Sequence, residues 1–154
     1  MRRLAGARAI LVLLLLVAAL VVGSALPALA QLEPTGTVRI GREATLVARG
    51  AAIRVPIRYS CSPDVTFADL QVRVTQRVGG NRLAQGFGST QEQSVDLVCD
   101  GQVHTVVVTV TAFGEAGGNA FRRGTAFAEA TLLICNDITC TSLTTSRVIS
   151  IVRR

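Results

Sequence analysis

Cys61, Cys99, Cys135 and Cys140 have the widest choice of chemistry in this 154-residue chain. Thiolates bind zinc, run redox exchange, or join as disulfides. Zinc wants four converging thiolates or added imidazoles, and the chain has one histidine, His104. Redox exchange wants Cys-x-x-Cys at a helix start. Here Cys135 and Cys140 enclose a four-residue loop, Asn136-Asp137-Ile138-Thr139, in a strand-rich region. Two structural disulfides are therefore expected. The ends of that short loop face each other across a hairpin at bridging distance, which pairs Cys135 with Cys140. Cys61 ends the apolar face Ile53-Val55-Ile57-Tyr59, and Cys99 ends the face Val95-Leu97. These two are expected to meet at strand ends as Cys61–Cys99.

His104 would have to serve any Ser-His-Asp arrangement, with Asp96 or Asp100 nearby. None of Ser60, Ser62, Ser89 and Ser94 sits in a nucleophile context, and no Gly-x-Ser-x-Gly occurs. Its plainer role is to cap a strand. Gly114-Glu115-Ala116-Gly117-Gly118 has neither the lysine nor the following helix of a phosphate cradle. Asp64, Asp69 and Asp100 form no dense acidic loop for calcium. Asp64/Asp69 and Asp96/Asp100 lie where turns and solvent faces take acids, not in a recognisable glycosidase pair. The chain is expected not to be an enzyme, with no catalytic residue, metal ligand or cofactor. Arg54 and Arg58 share one outward face, and Arg73 and Arg77 share another. If their strands are neighbours, four guanidinium groups form a contact patch for an anionic wall polymer or an acidic partner. The plainer reading is a solvated face that keeps strands from pairing at their edges.

The elements that must position these residues are strands. Apolar and polar residues alternate over Ile53–Cys61, Ala68–Val78, Val95–Cys99, Val106–Ala112 and Ala126–Ile134, with less regular strands over Val38–Ala48 and Leu143–Val152. Turn signals separate them: Gly50, Ser62-Pro63-Asp64, Gly79-Gly80-Asn81, Asp100-Gly101, 114–119 and Asn136-Asp137. Seven or eight short antiparallel strands, each with one apolar face, predict an all-β two-layer sandwich, with a small closed barrel as the alternative.

Ahead of the strands, Arg2, Arg3 and Arg8 precede an unbroken apolar run from Ile10 to Val22, then Pro27 and Ala28-Leu29-Ala30. This reads as a signal-peptide helix cut after Ala30, and as a membrane anchor if it is not cut. Residues 1–30 are the signal, 31–36 a flexible lead, and 37–154 one disulfide-stapled domain. Three of the 16 basic residues lie in the signal and all ten acids lie beyond it, so the exported part carries +3. That modest charge, with no Trp and one Tyr, argues against nucleic acid as a partner.

The segments Tyr59-Ser60-Cys61, Leu70-Gln71-Val72-Arg73-Val74-Thr75-Gln76, Gly86-Phe87-Gly88, Leu97-Val98-Cys99-Asp100-Gly101, His104-Thr105-Val106 and Arg123-Gly124-Thr125-Ala126 resemble small exported proteins of high-GC Gram-positive bacteria, mostly of uncharacterised function. The resemblance spans Ile53 to Cys135. It implies an immunoglobulin-like sandwich bridged between its two cysteine positions, and no activity. A looser likeness, of architecture and cysteine spacing alone, is to the enediyne-carrying apoproteins.

The expected function is a secreted, monomeric module that binds a protein or envelope polymer, with the loops 79–90 and 114–124 as contact surface. Phe121-Arg122-Arg123 reads as a solvated turn. The alternatives are a small-molecule carrier with a cleft between the sheets, and an inhibitor of exported proteases presenting the Cys135–Cys140 loop.

Overall fold

The computed structural model describes residues 33–113 and 119–153. The expected signal peptide (residues 1–30) and residues 114–118 lie outside the described residues. Eight strands follow in order: β1 (Gly36–Ile40), β2 (Glu43–Val47), β3 (Ala52–Cys61), β4 (Phe67–Gly79), β5 (Arg82–Ser89), β6 (His104–Phe113), β7 (Gly124–Cys135) and β8 (Cys140–Val152). Alternation drives each one. In β3, Ile53, Val55, Ile57, Tyr59 and Cys61 are 0–3% exposed, while Arg54 and Arg58 between them face solvent.

The expected sandwich is corrected by the pairing, as is the same architecture implied by the resemblance. Seven strands close on themselves in the order β2-β3-β6-β5-β4-β7-β8, and β1 lies outside that ring against β3. A two-layer sandwich leaves sheet edges open. Here β5 pairs with both β4 and β6, and β2 with both β3 and β8. The architecture is a closed seven-stranded barrel plus one strand. Every pairing is antiparallel except β2–β8, a parallel ladder of three residue pairs from Glu43↔Ser150 to Thr45↔Val152.

β5 and β6 can close that seam because β5 carries glycines. A Cβ on Gly88 would stand 2.1 Å from Thr109 O, and one on Gly86 would stand 2.7 Å from Thr111 O and 2.8 Å from the Phe121 ring. The expected loop 79–90 is thus a strand for most of its length, with its turn at Gly80 and Asn81. The reverse holds for Val95–Cys99, which is irregular rather than a strand. That segment is tied down at Val98, whose N–H donates to the Tyr59 hydroxyl at 2.9 Å, while Gly101 N–H donates to Cys61 O at 2.9 Å.

Side chains fill the barrel. Ile53, Ile57, Leu70, Leu132, Ile134 and Ile149 are among the largest fully buried groups. Phe121, expected in a solvated turn, is 1% exposed. Its segment is clamped by the buried Gln76, whose amide donates to Arg122 O and accepts from Arg122 N–H, both at 2.8 Å.

Candidate functional site

The outward side of β3 carries Arg54, Pro56, Arg58 and Ser60 in file. Proline in a central strand removes a ladder donor, so its position needs a reason. Pro56 O accepts from Gly41 N–H at 2.8 Å, so this residue turns its backbone toward the break between β1 and β2. The missing N–H falls there, where no ladder continues. A Cβ on Gly41 would lie 2.7 Å from Pro56 Cγ, so glycine is what lets the chain pass.

Strands on both sides complete a trough. β1 sets Arg39 directly opposite Arg58, and Thr37 opposite Ser60, with the two hydroxyls 2.8 Å apart. β6 sets Thr109, Val107 and Thr105 against Arg54, Pro56 and Arg58. An open depression of about 650 Å³ is lined by Glu43, Thr45, Arg54, Pro56, Val107 and Thr109. A second, of about 290 Å³, is lined by Thr37, Arg39, Arg58, Ser60 and Val103. Three exposed guanidinium groups thus share one wall with one carboxylate, Glu43. His104 and Asp100 form an ion pair elsewhere, ahead of β6.

Arg54 and Arg58 stand together as expected, but Arg73 and Arg77 do not join them. β6 and β5 intervene between β3 and β4 on one side of the ring, and β2, β8 and β7 on the other. Arg73 instead lies 5.9 Å from the Phe87 ring and opposite Glu129. The third arginine of the trough is Arg39, which sequence reasoning missed. Its signal was the polar pair Thr37 and Arg39 alternating with Val38 and Ile40.

His104 Nε2 lies 2.8 Å from Asp100 Oδ1, and the ring sits 5.9 Å from that of Tyr59. The hydrogen bond from His104 holds the Asp100 carboxyl below the usual range, helped by the Gln102 N–H. Among the described residues no serine hydroxyl is bonded to His104, and the pair pins the loop ahead of β6. Asp64 is likewise held low, first by the Ser62 hydroxyl and then by Asn136. Among the described residues no three His, Cys, Asp or Glu side chains gather as a metal site.

Both expected disulfides are present. Cys61–Cys99 spans 38 residues and Cys135–Cys140 spans five. Two such bridges fit an oxidising compartment outside the cytoplasm. Among the described residues no helix is long and apolar enough to cross a membrane. The loop held by Cys135–Cys140 presents Ile138 at 69% exposure. Asn136 Oδ1 accepts the N–H groups of Ile138 and Thr139, which bends the loop into a tight turn.

No family model matches the chain, and no curated protein matches it. Among solved structures it is similar to AggA, the major subunit of aggregative adherence fimbriae type I from Escherichia coli. The two are 12% identical over 79% of this chain and 96% of that one, with a TM-score of 0.38.

Proposed function

We propose that this is an exported, non-enzymatic binding module whose trough along Arg39, Arg58 and Arg54 holds an anionic polymer of the cell envelope. One observation carries the reading. Arg39 and Arg58 sit directly opposite each other on an exposed wall, and neither has a carboxylate partner among the described residues. Like charges opposed across a ladder destabilise the sheet. A phosphate or carboxylate chain lying between them reverses the sign of that contact, and guanidinium forks suit such anions. The threonines and Ser60 along the trough add neutral hydrogen-bonding groups for a polyhydroxylated backbone.

Poly(glycerol phosphate) is a suitable probe. The released protein should bind it with an affinity that falls as salt rises. Replacing Arg39, Arg54 and Arg58 by Gln should weaken binding by at least about tenfold. Replacing Arg73 and Arg77 by Gln should leave it unchanged. Equal losses from both sets would defeat the trough as the site.

The carrier alternative loses its cleft, because the barrel interior is filled with side chains and the depressions around β3 lie on the outer wall. The inhibitor reading keeps one observation, the rigid and protruding Ile138. Against it, proteases bind an extended strand, and this loop is a tight turn. A panel of exported proteases left untouched by the protein would close that reading.

A further inference from the structure

We infer that the open edge of β8 pairs with the same strand of a second copy, joining two barrels through an antiparallel β8–β8 ladder. β8 is paired with β7 from Cys140 to Ile151, but its other edge meets β2 only at Ser150, Ile151 and Val152. Ser150 gives its N–H to Arg42 O, away from β7. Backbone groups alternate sides along an antiparallel strand. Ser142, Thr144, Ser146 and Val148 therefore also turn their N–H and C=O groups away from β7. Among the described residues no backbone partner meets these four, and all four are exposed. An unpaired edge of this length is a template for another strand.

Nothing on the strand guards it. Between Cys140 and Val152 there is no proline, and Arg147 is the one charged residue. Arg147 is itself occupied, since its Nη1 donates to Ile40 O at 3.1 Å. The edge is also self-complementary. A two-fold pairing must oppose residues of the same face, and a register that set Arg147 against itself would be repulsive. The register centred on Thr144 avoids this. It sets Ser142 against Ser146 and Arg147 against Thr141. It also sets Leu143, half-buried with its Cδ1 packed beside Gly36 of β1, against Thr145. All the groups turned away from β7 then find partners.

The test uses the full chain expressed in a secreting host and purified as released. Light scattering should give twice the chain mass, and the amides of Ser142, Thr144 and Ser146 should exchange slowly. Changing both Ser142 and Ser146 to Lys opposes like charges across the two-fold and should yield a monomer with fast exchange at those amides. Ser142→Glu with Ser146→Lys opposes unlike charges across the two-fold, keeps Lys rather than Glu opposite Glu129, and should restore the dimer. Both positions are exposed, so an unchanged melting temperature of the monomer shows that the fold survives. Thr144→Pro, which removes an edge N–H at the cost of the side-chain hydrogen bond to Thr131 on β7, should also give a monomer, with Thr144→Val as the control that loses only the latter and stays dimeric. A wild-type protein that is monomeric, or a double-Lys variant that stays dimeric, overturns the inference.

Discussion

Arg39 and Arg58 face each other across the β1–β3 ladder, and a folding chain gains nothing from that contact. Arg39→Gln should therefore raise stability by about 0.2–1 kcal/mol while weakening polymer binding, as urea melts and binding isotherms would show together. Opposite signs in the two measurements separate a binding residue from a structural one. Asp100 supplies a second case. Its carboxyl is held low by His104, so this contact stabilises the fold above the ordinary carboxylate range and is lost as pH falls through the lowered value. Thermal melts across acid pH should show that loss. His104→Ala should move its onset up toward the ordinary carboxylate value. Of these residues, Arg58 was legible, because it alternates with Val55, Ile57 and Tyr59 in an unbroken pattern. Arg39 was not, because β1 and β2 together read as one irregular segment. Its break at Gly41 and Arg42 is explained only by Pro56 across the ladder.

Among the elements, β5 and the segment 95–99 were read the wrong way round, for the same physical reason. Gly86 and Gly88 signal a loop in isolation, yet they are what lets β6 lie against β5. Val95, Leu97 and Cys99 alternate like a strand, yet Leu97 and Cys99 pack against the core from an irregular segment fixed by the bridge to Cys61. Gly88→Ala should cost about 1–3 kcal/mol, because Thr109 O would have to move. Hydrogen exchange should show the loss concentrated at the β5–β6 seam. The bridges should differ by their loops. Chain entropy gives about 4 kcal/mol for Cys61–Cys99 and about 2 for Cys135–Cys140. Paired Cys→Ala variants under denaturant would rank them in that order.

For the whole molecule, closure hangs on the short β2–β8 ladder, where Ala44 and Ile151 oppose each other at 0% and 1% exposure. Ile151→Ala should cost about 2–5 kcal/mol and loosen the seam. Deuterium uptake rising first in β2 and the end of β8 would confirm that closure begins there. Local order alone determined that the chain is all-β, which apolar residues of β3, β4, β6 and β7 face inward (though not the buried Asp69 of β4, read as a solvent-face acid), and that Cys135 can bridge to Cys140, since side-chain alternation and short-loop geometry act between near neighbours in sequence. Only the tertiary structure decided that the sheet closes into a barrel, that Arg39 rather than Arg73 and Arg77 stands with Arg58, and that β8 keeps an open edge. Those are questions of which strand lies beside which. A strand's own residues set its two faces, but its neighbours are set by contacts between distant segments such as β2 and β8.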